Sequence, residues 1–328
     1  MPQIYFDQAA TSFPKAPGVG DAMKYYLENL GVNIHRGVYG SAISVEETVL
    51  ETREALCRLF NFRWPENVIF TLNITYALNI LLKGILKPGD HCVVSSMEHN
   101  AVMRPLFQLQ KIGVTITRAQ ADSEGFLELA DIEKAVEENT KVIVLSHASN
   151  VCGSILPLEE VGKFCQSRGI YFIVDSAQTA GSLTIDMAKY NIDALAFTGH
   201  KGLLGPQGIG GFLVNKELAQ EMEPLITGGT GSLSDREEFP PYLPDKFEAG
   251  TPNIPGIFGL HAALKYLEQQ DIIELHEQAL SLTERFLNGV KNIAGIKLVG
   301  PQTMRNRTAV VSLDFPGKDN GIIAYQLD

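Results

Sequence analysis

The sequence predicts an α/β fold with a mainly parallel sheet, and three observations carry the prediction. Short apolar runs recur at Val68–Thr71, His91–Ser95, Val114–Arg118, Val142–Ser146, Ile170–Val174, Asp193–Phe197 and Ile209–Val214, seven in all. Helical patterns separate most of them, and runs this short suit strands covered on both faces. Polar residues fall just past the ends of several runs, where open α/β sheets bind ligands. With 328 residues the chain can bury a large core and suits one large domain plus a smaller one.

Taken in order, Tyr5–Ser12 reads as a short strand entering a polar turn, since Pro14 and Pro17 oppose helix there. A helix bearing Met23, Tyr26, Leu27 and Leu30 follows, then a polar loop, Asn33-Ile-His-Arg-Gly-Val-Tyr-Gly40, that holds His35 and Arg36. A long helical pattern covers Val45–Phe60, with apolar positions at Val49, Leu56 and Leu59. The alternating stretch predicts helices over Thr75–Leu86, Asn100–Ile112, Leu129–Glu138 and Leu158–Ser167, with Pro105 in the first turn of its helix or at a kink. Helices at Ile257–Glu268 and Ile272–Ile293 lead into strands at Ile296–Val299 and Ala309–Phe315, and Asp319 caps a last helix.

Two strands and a helix that stops at Asp328 are little for an independent layer. The expectation is a small domain lacking its C-terminal end; a naturally shortened protein is the alternative. The expected division is 15–255 for the large domain and 1–14 with 256–328 for the small one.

Composition narrows the function. A net charge of −11, without a cluster of Lys and Arg, argues against a nucleic-acid partner. No apolar run reaches the length of a membrane span, and the first residues show no secretory pattern. The four cysteines, Cys57, Cys92, Cys152 and Cys165, have no metal-ligand spacing, so no metal is expected. Reduced thiols in a cytoplasmic protein are the simplest reading.

The residues just past the apolar runs carry the chemistry. They are Asn73 and Thr75, His99 and Asn100, Asn150, Asp175 and Gln178, then Thr198, His200 and Lys201. Singly each has an ordinary explanation: Thr75 as a helix cap, His99 as a core histidine, Asp175 as a turn cap, Lys201 as a surface lysine in a tight turn. Together, at one rim, they suit a cofactor. A partly desolvated lysine has a lowered pKa and forms an imine with an aldehyde. Pyridoxal phosphate needs such a lysine, and a carboxylate at its ring nitrogen, for which Asp175 at the end of Tyr-Phe-Ile-Val-Asp is suited. The Thr71–Thr75 turn opening a helix can cradle its phosphate, and the His99 imidazole can stack on its ring and move protons. A dinucleotide or P-loop reading fails, because Gly205-Pro-Gln-Gly-Ile-Gly has the wrong spacing and precedes a strand.

At these residues the chain resembles the class V fold of pyridoxal-phosphate enzymes, specifically cysteine desulfurases and selenocysteine lyases. The marks are Tyr5-Phe-Asp-Gln-Ala-Ala-Thr, Asn33-Ile-His-Arg-Gly, Glu98-His-Asn, Ser149-Asn-Val-Cys-Gly, Val174-Asp-Ser-Ala-Gln, Thr198-Gly-His-Lys-Gly-Leu-Leu-Gly-Pro and Phe247-Glu-Ala-Gly-Thr-Pro-Asn, in that order along essentially the whole chain. The resemblance implies the aspartate aminotransferase-like fold: a large domain with a mainly parallel seven-stranded sheet and a smaller α+β domain. It implies Lys201 as the imine-forming lysine, Asp175 at the ring nitrogen, Gln178 near the ring hydroxyl and His99 stacked on the ring. Asn150 is implied near the ring hydroxyl or the substrate. Thr75, Thr198 and His200, beside the backbone at Asn73, would hold the phosphate, with Thr251 reaching in from the other subunit of a homodimer. The implied reaction takes sulfur from L-cysteine, leaving alanine and an enzyme persulfide for a sulfur-acceptor protein.

Two departures qualify this. Family members have glycine, a hydroxyl residue and an acid where this chain has Asn73, Ile74 and Tyr76. Their nucleophilic cysteine, and arginines for the substrate carboxylate, lie in a C-terminal region that these residues do not include. None of the four cysteines reads as a substitute; Cys152, two residues after Asn150, reads as a small buried thiol. Two other functions stay open: a class V aminotransferase or C–S lyase needing no cysteine nucleophile, and a non-catalytic scaffold keeping the fold.

Overall fold

Seven strands form one sheet in the order β1-β7-β6-β5-β4-β2-β3. They are β1 (Val68–Thr71), β2 (His91–Ser95), β3 (Thr115–Ala119), β4 (Thr140–Ser146), β5 (Tyr171–Asp175), β6 (Ala194–Thr198) and β7 (Gly210–Val214). The computed structural model describes residues 4–34, 40–233 and 235–327; His35, Arg36 and Asp328 lie outside the described residues. The pairings β3–β2, β2–β4, β4–β5 and β5–β6 are parallel, while β7 runs antiparallel to both of its neighbours. The sheet is therefore mainly parallel, as expected, and its strand limits fall within one or two residues of the apolar runs.

Successive residues of the central strands enter opposite cores, because side chains alternate across a strand. Val93, Ile143, Val174 and Leu195 share one apolar cluster. Cys92, Val94, Val144, Ile173 and Ala196 share the other. Helices α3 (Ile74–Ile85) and α4 (Asn100–Gln110) cover the second face. The first is covered by α2 (Gly40–Leu59), α5 (Leu129–Ala135), α6 (Leu158–Arg168) and α8 (Ile254–Leu267). Helix α1 (Val19–Tyr25) passes into a π-type turn over Tyr26–Leu30 and packs on α8.

Some local expectations change. Tyr5–Ser12 forms turns instead of a strand: the amides of Ala10 and Thr11 bond back to the Asp7 carbonyl, so no neighbouring strand receives them. Pro105 lies inside α4, where it removes one helical donor. A short helix, α7 (Lys216–Glu221), was not expected; Asn215 caps it by accepting from the Leu218 amide at 2.8 Å. After α8 the chain forms α9 (Ile272–Val290), the antiparallel pair β8 (Lys297–Val299) and β9 (Ser312–Asp314), and α10 (Asn320–Leu327). The Asp319 carboxylate caps α10 by accepting from the Gly321 and Ile322 amides. Among the described residues, no helix is long and apolar enough to cross a membrane.

Candidate active site

The polar residues gather where β2, β4, β5 and β6 end. Asp175 closes β5, 3% exposed, and its Oδ1 accepts from the Ala177 amide at 2.9 Å. Burial raises its pKa, while the Ala177 amide and the charges of His99 and Lys201 pull it back down. Those two neighbours thus lie within electrostatic reach of Asp175.

Lys201 sits half-buried in the turn after β6, and its amine makes no hydrogen bond among the described residues. Burial lowers its pKa, opposed by Asp175 and Asp7. The turn depends on glycine: a Cβ on Gly202 would stand 2.4 Å from the Ala180 carbonyl oxygen. That contact presses the Lys201 turn against the one following Asp175.

Around them lie groups able to hold an anion. Thr198 is 2% exposed, and its Oγ1 is buried without a hydrogen-bond partner. The α3 N-terminus opens beside the sheet, because a Cβ on Gly210 of β7 would meet the Asn73 backbone at 2.9 Å. Asn73 itself is the N-cap, accepting from the Tyr76 amide at 3.2 Å. It thereby replaces the turn expected from glycine, while Ile74 turns its side chain into the core. Among the described residues the amides of Ile74 and Thr75 have no acceptor, as the first amides of a helix do. Thr75 and His99 line one cavity together with Asn79, Asn100 and Arg104. His99 caps α4, its Nδ1 accepting from the Ala101 amide at 3.0 Å, so the ring proton belongs on Nε2.

Other predicted residues are placed less centrally. Gln178 donates to the Ala9 carbonyl at 3.2 Å. Asn150 is exposed in the turn after β4. Thr251 is exposed too, and its hydroxyl accepts from Asn33 at 3.4 Å.

Sequence reasoning missed four contributors. The N-terminal turn straps onto His200: its carbonyl accepts from the Ser12 amide, both hydroxyls of Thr11 and Ser12, and the Lys15 ammonium. His200 Nδ1 lies 3.1 Å from Thr11 Oγ1, and burial, then Lys201 and Lys15, lower its pKa. Glu98 is wedged between the ends of β2 and β4, pushed by burial up to about 7. His147, just after β4, is buried with Nδ1 unpartnered, and its pKa falls to about 4. Glu248 receives Arg53 at 2.8 Å and the Phe70 amide at 2.6 Å, pinning the 247–253 loop to β1. The signal for Glu98 was present, inside the Glu98-His-Asn motif, but nothing in local sequence marks a glutamate as bridging two strand ends.

All four cysteines are buried. Burial pushes Cys57 up to about 12 and raises Cys92 and Cys165 as well. The Cys152 thiol is 3% exposed and packs against Ser154 Oγ at 3.4 Å.

Known proteins share this architecture. The family model for aminotransferase class-V matches residues 4–328. A probable cysteine desulfurase of Pyrococcus abyssi is 36% identical over 332 residues, which cover 99% of this chain and 82% of that protein. The apo structure of a cysteine desulfurase from Thermococcus onnurineus NA1 is 33% identical and superposes with a TM-score of 0.92, over 99% of this chain and 82% of that one. A structure described as SspA in complex with cysteine is 26% identical, with a TM-score of 0.80 over 99% of this chain and 87% of that one.

Proposed function

We infer, from the premise that this chain belongs to the class-V aminotransferase family, that it is a cysteine desulfurase working with pyridoxal phosphate on L-cysteine. The observation that carries the reading is the half-buried Lys201 amine, free of hydrogen bonds, held near the buried Asp175 carboxylate.

The residues present fit the cofactor. An orphaned buried hydroxyl on Thr198, the free amides of Ile74 and Thr75, and an unpartnered amine are groups that a phosphate and an aldehyde would satisfy. Asn73, Thr75, Thr198 and His200 would hold the phosphate, Asp175 the ring nitrogen, Gln178 the ring hydroxyl, and Asn150 that hydroxyl or the substrate. Bound there, the cofactor supplies an electron sink for charge developing at the substrate α-carbon. Burial keeps a larger fraction of Lys201 as the neutral amine, so it serves as nucleophile and then carries the proton at that carbon. His99, whose Nε2 proton is left free by the Ala101 bond to Nδ1, would stack on the ring and move protons there.

Sulfur transfer needs a thiolate that attacks the substrate sulfur. A sulfur–sulfur bond forms, the carbon–sulfur pair stays on carbon, and that carbon takes a proton to leave as alanine. Burial keeps Cys57, Cys92 and Cys165 as thiols, and Cys152 is enclosed, so the accepting thiolate is none of these four. The persulfide would pass to an acceptor protein. Thr251 would complete the phosphate site of a neighbouring copy in a homodimer. We take 15–255 as the large domain and the remainder as the small one.

Burial of every cysteine also favours a second reading, a C–S lyase that expels sulfide without a nucleophile. The products separate the two: alanine from L-cysteine supports desulfuration, pyruvate and ammonia support the lyase. For the cofactor, borohydride reduction of the yellow complex followed by peptide mapping should find the pyridoxyl group on Lys201. A pyridoxyl group on another lysine, such as Lys15, would overturn the assignment.

A further inference from the structure

The neighbouring parallel strands β2 and β4 pair as far as Val94 and Val144, and no ladder pair joins them beyond. Past that point the Glu98 side chain takes over. Its Oε1 accepts from Ser95 Oγ at 2.6 Å, on its own strand. The Ser146 amide, an inward donor with no β2 carbonyl to meet, reaches both carboxyl oxygens at 3.0 and 2.9 Å. Ser146 Oγ adds a bond to Oε2 at 2.8 Å. One carboxyl group thus replaces the missing rung of the ladder.

What it joins matters. Ser146 is the register partner of Asp175 across β4 and β5, and the following amide, from His147, donates to the Asp175 carbonyl at 2.9 Å. On the other side, Glu98 directly precedes His99, the N-cap of α4. Glu98 therefore hydrogen-bonds both to the segment that presents His99 and to the strand that aligns Asp175.

We propose that Glu98 is a positioning residue: by closing the gap between the ends of β2 and β4, it sets His99 and Asp175 in register with each other and so shapes the cofactor's seat. It touches neither cofactor nor substrate and acts through those two residues. The inference rests on the pyridoxal-phosphate reading given above.

The test compares the wild-type chain with Glu98→Gln, Glu98→Asp and Glu98→Ala. Glutamine keeps a carbonyl oxygen for the Ser146 amide; aspartate keeps a carboxyl group but is one methylene too short to bridge. Two readouts are taken. In the cofactor-free chain, amide hydrogen exchange at Ser146 and His147 should accelerate at least tenfold for Asp and Ala and stay near wild type for Gln. In the chain loaded with pyridoxal phosphate, the visible circular dichroism of the bound cofactor, which reports the asymmetry of its surroundings, should drop at least twofold for Asp and Ala and be rescued by Gln. If Ala fails to fold, Asp decides.

Unchanged visible dichroism in Glu98→Asp, with wild-type cofactor loading, overturns the proposal even where exchange accelerates, since Glu98 would then be structural only. Unchanged exchange at Ser146 also overturns it. A wild-type chain that takes up no pyridoxal phosphate would instead sink the cofactor reading, and the exchange arm would still decide whether Glu98 closes the strand gap.

Discussion

The ammonium of Lys15 lies 2.9 Å from the carbonyl oxygen of His200, the residue immediately before Lys201. It also donates to Thr11 and Ser12 at 3.1 Å each, and among the described residues no acidic group pairs with it. A cation is thus used to tie the N-terminal turn onto the loop that carries the reactive amine, at the cost of partial desolvation that lowers its own pKa.

Replacing Lys15 by Met should release that strap. Hydrogen bonds from a charged donor are worth roughly 1.5–3 kcal/mol, so turnover of L-cysteine is expected to fall about tenfold while the Lys201 linkage forms normally. The positive charge also helps to depress the His200 imidazole, after burial itself. Its removal should raise the His200 pKa in an NMR titration. An unchanged or lower value would contradict the strap geometry.

Glu98 gives a pH prediction. Its folded pKa of about 7 exceeds the ordinary carboxylate value of 4.5, mainly through burial, with the Asp175 charge adding to it. The folded state therefore holds this proton more tightly than the unfolded chain. Stability from this group is full below about pH 4.5 and is lost as pH rises through about 7, on the order of 3 kcal/mol in total. His147, lowered to about 4, acts in the opposite sense and loses stability as pH falls below its ordinary 6.5. The two slopes overlap, so the wild type alone is uninformative. The difference between wild type and Glu98→Gln isolates Glu98: denaturant titrations from pH 4 to 8 should show the Gln variant gaining relative stability with rising pH. A flat difference would mean that folding leaves the carboxyl pKa where it is in the unfolded chain.

Arg53 and Glu248 form a buried ion pair, with side chains 7% and 10% exposed. Arg53 also donates to the Val68 carbonyl and lies over the Phe70 ring at 4.6 Å. Glu248→Ala would strand the guanidinium and free the Phe70 amide. A loss of about 3–5 kcal/mol is expected, visible as a reduced midpoint in urea, together with weaker cofactor retention because β1 leads directly into the Asn73 cap. Arg53→Met combined with Glu248→Leu should recover much of the stability, since neither charge is then left alone.

Thr251 supplies a test of shared sites. Among the described residues its hydroxyl accepts from Asn33 alone. If it serves a neighbouring copy, mixing inactive Thr251→Ala and Lys201→Ala chains should restore up to a quarter of wild-type activity, through hybrid dimers holding one intact site. Mixtures that stay inactive, or a monomer by sedimentation, would argue that each chain works alone.

Much of the fold was legible in the sequence. Seven apolar runs bounded by polar turns place strands to within a residue or two, because burial on both faces leaves little room for polar residues inside the central ones, while the edge strand β3 keeps Thr115 and Arg118 exposed. The polar groups past Val174 and Phe197 were legible for the same reason: they interrupt a pattern that packing would otherwise continue. Strand order was not legible, nor was the reversal of β7, since pairing is settled by contacts far apart in the chain. The same holds for the ties that shape the site. Lys15 and His200 are 185 residues apart, and Arg53 and Glu248 are 195. Local periodicity reports which face of an element avoids water, and it carries no information about which distant carbonyl or carboxylate awaits a cation. Glu98 shows the limit most clearly. By sequence it is an acid before a helix; only folding, which ends the β2–β4 ladder at Val94 and leaves the Ser146 amide unmet, turns it into a half-buried bridge between two strand ends.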